Sequence, residues 1–76
     1  MEENDFVKNF AQQFDETDPQ SISINTNFKD LDEWSSLVAL SLMAMVDEEY
    51  GVRITADDFK NSSTLADVLE IIKERA

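Results

Sequence analysis

Apolar residues punctuate this chain in three different rhythms. Phe6, Phe10 and Phe14 recur at i, i+4 and i+8, with Val7 and Ala11 beside them; this spacing lays one apolar stripe along a helix whose other residues face water. Glu2, Glu3 and Asp5 fall in its first turn, where negative charge favours the positive end of the helix dipole. Pro19 cannot continue that helix, and Asp15 to Ser35 has no helical period. Ile22 and Ile24 alternate with serines there, too few positions for a strand; they read as pins holding a long loop against the core. A loop of about 20 residues is uncommon in a compact domain and is usually functional or disordered.

From Ser35–Ser36 to Tyr50 the rhythm changes to near-continuous apolarity, and Gly51 stands where a helix takes its left-handed closing residue. A helix apolar on nearly every side is normally central and buried. One stripe (Ala39, Leu42, Met43, Val46, Tyr50) is expected to face the core. Leu37, Leu40 and Ala44 are then left on another side, above Asp47 and Glu48, which suggests a docking surface. After Val52-Arg53-Ile54 comes a short helical turn at Ala56–Phe59. The last helix opens with Thr64 as N-cap and Asp67 three residues later, a variant capping box. Leu65, Val68, Leu69 and Ile72 then give its apolar stripe. Three substantial helices, a short third helix and a long first loop make an all-α fold, with residues 1–76 as one domain.

Composition narrows what such a fold can do. Seventeen acidic residues against six basic give a net charge of −11, which repels phosphate backbones and anionic lipid and argues against nucleic-acid and membrane partners. There is no Cys and no His, so disulfides, thiolate nucleophiles, the commonest general base and the commonest metal ligands are all missing. No apolar run nears the roughly 20 residues needed to span a bilayer, and no signal peptide opens the chain. The expectation is a soluble, cytoplasmic monomer, not an enzyme, that works by being bound. The sequence-adjacent carboxylate pairs (Asp47 with Glu48, Asp57 with Asp58) diverge on a helix, and no run has calcium-loop spacing. No metal site is expected. These acids read as solvated surface or partner contacts.

The informative stretch is Trp34-Ser35-Ser36-Leu37. A serine at a helix start has a plain role as N-cap. A second reading is that a hydroxyl in the first turn, where free backbone N–H groups and the dipole favour an anion, suits a phosphoester on Ser36. Trp34 reads simply as a loop anchor beside the helix start. Phe59 is expected to point inward, narrowing the cleft between the second helix and the two that follow.

Over essentially its full length the chain resembles the acyl carrier proteins. The resemblance runs through the N-terminal helix, the long loop, Ser36-Leu37 opening the second helix, Asp47-Glu48-Glu49-Tyr50-Gly51, Ile54 with Asp57-Asp58, and Thr64-Leu65 through Ile72. It implies a four-helix bundle whose Ser36 carries a covalent 4′-phosphopantetheine arm taken from coenzyme A. It also implies that acyl groups are held on the arm as thioesters and delivered to separate enzymes of fatty-acid or polyketide-type synthesis. Partners would be a phosphopantetheinyl transferase and acyl-handling enzymes that meet Leu37, Leu40, Ala44, Asp47, Glu48 and Asp57 with a basic patch. Two departures stand out: Ser35 replaces the family's usual Asp before the modified serine, and Ser41 replaces a frequent acid. Ser35 can still cap the helix. Two other readings remain, an unmodified acidic interaction module of the same fold and an acidic nucleic-acid mimic.

Overall fold

The computed structural model describes residues 2–76. Four α-helices account for its regular structure: α1 (Glu3–Ala11), α2 (Ser36–Tyr50), α3 (Ala56–Lys60) and α4 (Leu65–Arg75). No strand occurs among the described residues beyond a single bridge between Asn27 and Thr64. α1 packs on α2 and on α4, and α3 packs on α4. No helix is long and apolar enough to cross a membrane.

α1 buries Phe6 and Phe10 completely, but it ends at Ala11, three residues before Phe14. The amides of Gln13 and Phe14 bond back only three residues, to Phe10 and Ala11, which tightens the last turn as helix ends commonly do. Phe14 is still buried and stacks on Phe10 at 5.9 Å. The aromatic spacing therefore outlasts the helix that the spacing predicts.

The segment from Asp15 to Ser35 is held at several points. It contains two 3-10 turns, Pro19–Ser21 and Phe28–Asp30, capped by the side chains of Asp18 and Asn27. Ile22 is buried, as expected of a pin; Ile24 is partly buried, and its carbonyl accepts the Ala66 amide of α4 at 2.9 Å. The central feature is Phe28, which is fully buried and meets three rings edge-on: Phe10 at 5.7 Å, Trp34 at 4.8 Å and Phe59 at 5.9 Å. This loop residue joins α1, the approach to α2, and α3.

α2 presents Val38, Ala39, Leu42, Met45 and Val46 to the core. The expected stripe is thus shifted: Met43 and Tyr50 are only partly buried, and Val38 and Met45 are buried in their stead. On a helix with apolar residues all round, several stripes satisfy the period equally, and packing chooses among them. Tyr50 sits at the edge because its hydroxyl accepts a hydrogen bond from the Asn9 amide at 2.9 Å. Gly51 closes the helix at φ 66°, the sole positive φ among the described residues, with its amide bonded to the Asp47 carbonyl.

Both short connections are capped reciprocally. Thr55 and Asp58 form a capping box at α3, and Thr64 and Asp67 form one at α4. Asp58 also makes a two-point ion pair with Arg75 of α4, at 2.6 and 2.8 Å. The Arg75 guanidinium, assisted by the Thr55 amide and hydroxyl, holds the Asp58 carboxyl down to about 2 from its ordinary 3.8. A depressed carboxyl contributes stability that is fully present above the unfolded value and is lost as pH falls through the folded one. Arg75→Gln should therefore make the fall in thermal stability between pH 4 and pH 2 shallower, and lower the melting temperature at neutral pH. Circular-dichroism melts across that range check this; an unchanged slope would show that the pair contributes nothing.

Candidate functional site

The start of α2 is built by a division of labour between its two serines. Ser35 is the N-cap, with extended backbone (φ −159°, ψ 171°), and its hydroxyl accepts the Val38 amide at 3.3 Å. Ser36 follows as the first helical residue, exposed, with no hydrogen bond to its hydroxyl among the described side chains. Ser35 thus fills the capping role that an Asp would fill, and the Ser36 hydroxyl is left open to solvent. The first amides of a helix precede its first internal bond, so those around Ser36 are turned toward whatever its oxygen carries.

What holds this corner in place lies in the preceding loop. Glu33 folds back on Asp15–Thr17, accepting the Asp15 and Glu16 amides at 2.7 and 3.0 Å and the Thr17 hydroxyl at 2.7 Å. The Thr17 hydroxyl, with those amides, holds the Glu33 carboxyl below the usual carboxylate range. Glu33 is therefore a clamp of the loop rather than a free surface acid. Next in sequence, Trp34 wedges its ring against Phe28 and lies 5.6 Å from Phe59 of α3.

A groove of about 280 Å³ opens beside Ser36. Trp34, Ser35, Ser36 and Ala39 line it from the side of α2. Ala56, Phe59 and Lys60 line it from α3, and Lys29 of the second 3-10 turn closes the set. Phe59 is buried as its inward orientation requires, against Phe28 and Trp34. Two features of this groove were not legible in the sequence. Trp34 is one of its walls, not merely an anchor; the signal for that was an aromatic residue directly before the serine pair. Lys29 and Lys60 lie 31 residues apart in the chain and meet through a hydrogen bond from the Lys29 ammonium to the Lys60 carbonyl at 3.0 Å. No local pattern joins them.

On the outer face of α2 the expected residues share one surface. Leu37 and Leu40 are 74% and 60% exposed, the large apolar side chains that the fold leaves uncovered. Ala44, Asp47 and Glu48 are also exposed, and positions 37, 40, 44, 47 and 48 follow the i, i+3, i+7, i+10, i+11 order of a single helix face. Asp57 is exposed at the start of α3. No group of His, Cys, Asp and Glu among the described residues is arranged to hold a metal ion.

The surroundings of Ser36 fit a phosphoester: an exposed hydroxyl, backbone donors at a helix start, and open space on one side. The profile of the family described as phosphopantetheine attachment site matches residues 5–72, a span containing every element above except the ends of α1 and α4. No curated protein is matched significantly by the chain.

Proposed function

This chain belongs to the phosphopantetheine attachment-site family, whose members bind 4′-phosphopantetheine covalently, and from that premise we propose that Ser36 is the attachment residue and residues 1–76 act as one acyl carrier unit. The observation that carries the assignment is the contrast between the two serines: the Ser35 hydroxyl is committed to the Val38 amide, whereas Ser36 is exposed and uncommitted. When bound, the group supplies a terminal thiol on a long flexible chain, where acyl groups are held as thioesters.

The chain's own part is presentation. The chain has neither His nor Cys, and no described side chain is hydrogen-bonded to the Ser36 hydroxyl. In this reading the Ser36 proton passes to a base on the transferase, and the chain acts as substrate and carrier. Ser35 keeps the first turn of α2 formed, and the Glu33 clamp with Trp34 fixes the loop that leads into it. Intact mass after incubation with coenzyme A and a transferase tests the reading: one arm per chain is expected, and a mass that never changes would overturn it in favour of an unmodified interaction module of the same fold.

The α2 face is the proposed docking surface for the transferase and for acyl-handling enzymes of fatty-acid or polyketide-type synthesis. Leu37 and Leu40 supply apolar contact, while Asp47, Glu48 and Asp57 attract a basic patch. From Asp30 to Val52 the sequence holds six acids and no Lys or Arg, and with Glu33 spent on the loop clamp the remaining five act outward. Reversing Asp47 and Glu48 to Lys should slow association with the transferase by about tenfold at low salt, and added salt should shrink the difference as screening removes the steering. Stopped-flow association rates across an ionic-strength series check this. A defect independent of salt would move the recognition onto Leu37 and Leu40.

A further inference from the structure

The protein carries only six cationic side chains against seventeen acids, and two of the six, Lys29 and Lys60, stand together on the α3 side of Ser36. Both are exposed. Arg75 with Asp58 is the ion pair found among the described residues, so no described carboxylate lies within 4.0 Å of either lysine ammonium. That includes the acids nearest in sequence, Asp30 after Lys29 and Asp57 three residues before Lys60. Asp67 feels the Lys29 charge, but its carboxylate is occupied by the Ser63 and Thr64 amides at 2.8 and 3.1 Å. Lys29 donates one proton to the Lys60 carbonyl at 3.0 Å, which fixes its charge at the C-terminal end of α3, where the peptide dipoles favour a cation. A helix turns by about 100° per residue, and this puts Ser36 on the border between two surfaces of opposite sign. On one side lies the exposed face of Leu37, Leu40, Ala44, Asp47 and Glu48, in a stretch of α2 that holds no Lys or Arg. On the other side Ser36 and Ala39 face α3, with Lys60 at its end and Lys29 bonded to it.

We propose that the transferase meets this chain with a patch of both signs: basic groups over Asp47 and Glu48, and a carboxylate over Lys29 and Lys60 on the opposite side of Ser36. The proposal rests on the reading that the α2 face docks this partner. Its physical basis is orientation. Attraction between an all-acidic face and a basic patch depends on distance, so several rotations about the contact are nearly equal. A cationic pair across Ser36 makes the reversed rotations repulsive, and opposed charges fix register and reject wrong partners in this way. The surface that surrounds Ser36 is then a two-signed key, and the lysines are its orienting half.

The sign of the effect separates this contact from bulk electrostatics. Removing two cations makes the chain more acidic still, so through net charge alone the loss would strengthen attraction to a basic patch. The contact predicts the reverse. Stopped-flow binding to a phosphopantetheinyl transferase without coenzyme A, where no arm is transferred, is measured for the parent and four variants. Lys29→Gln/Lys60→Gln should dissociate about threefold to tenfold faster, as expected for two exposed ion pairs. Lys60→Gln alone breaks no hydrogen bond of the fold, since only the Lys60 carbonyl is engaged, and should show part of the same loss. Lys29→Arg/Lys60→Arg should bind like the parent. Lys8→Gln/Lys73→Gln makes the same charge change in the last turns of α1 and α4 and should leave dissociation unchanged. A carbodiimide, which joins an ammonium to a touching carboxylate with loss of water, should link Lys29 or Lys60 to a transferase carboxylate that peptide mass spectrometry identifies. Binding of Lys29→Gln/Lys60→Gln as tight as the parent's, or tighter, overturns the proposal, as does an equal loss in the Lys8→Gln/Lys73→Gln protein. If the parent itself binds no transferase, the docking reading fails and takes the proposal with it, which is plain before any variant is made.

Discussion

Ser36→Ala is expected to stay at the mass of the unmodified chain after incubation with coenzyme A and a transferase, while Ser35→Ala gains the arm. The loss in the first case is complete, because a methyl group provides no oxygen to attack phosphorus. In the second case only a cap is weakened. Replacing a serine N-cap by alanine costs about 1 kcal/mol, here by freeing the Val38 amide that Ser35 holds at 3.3 Å. Modification of Ser35→Ala is expected to slow, since the first turn of α2 frays, but its end point is the same single addition. A Ser35→Asp protein restores a capping oxygen and should be modified at least as readily as the parent, separating capping from chemistry. If Ser35→Ala alone eliminates the mass shift while circular dichroism shows the helix intact, the attachment residue is Ser35 and the assignment is reversed.

The second large effect concerns stability. Phe28→Ala is expected to cost about 3–5 kcal/mol, the usual range for removing a buried aromatic side chain. A domain of this length holds only about 4–11 kcal/mol in total, at ~0.05–0.15 kcal/mol per residue, so the variant should be poorly folded near body temperature. Phe28 is 0% exposed and meets Phe10, Trp34 and Phe59; its loss would uncouple α1 from α3 and release the ring that shapes the groove beside Ser36. Phe28→Leu keeps much of the volume and should cost under about 1.5 kcal/mol. Leu40→Ala, at a side chain 60% exposed, should change stability by no more than about 0.5 kcal/mol. Urea denaturation of the four proteins tests the ranking. A cost near that of Leu40→Ala for Phe28→Ala would mean that the long loop is an appendage, not part of the core.

These two predictions draw on different kinds of information. The serine pair, the helix that follows it, the closing glycine and the Thr64–Asp67 cap are all local: each depends on residues within one turn, where backbone hydrogen bonding and φ preferences act. They are therefore written in the sequence, as are the exposed leucines above Asp47 and Glu48, because an all-apolar helix in so short a chain must leave one face uncovered. The net charge of −11 and the absence of Cys and His are likewise read from the sequence alone.

What tertiary structure alone decided is where distant side chains meet. Phe28 lies in a loop with no period, so nothing local marks it as the centre of the aromatic core. α2 offers several apolar stripes of equal merit, and only its neighbours select Val38 and Met45 over Met43 and Tyr50. Glu33 looks like one more acid until the chain reversal brings Asp15 to Thr17 against it. Lys29 and Lys60, and the groove they share with Trp34 and Ser36, come from three segments whose approach is set by packing across the bundle. Periodicity reports which face of an element is apolar; it carries no information on which other element will cover that face, or on what the covering leaves open beside it.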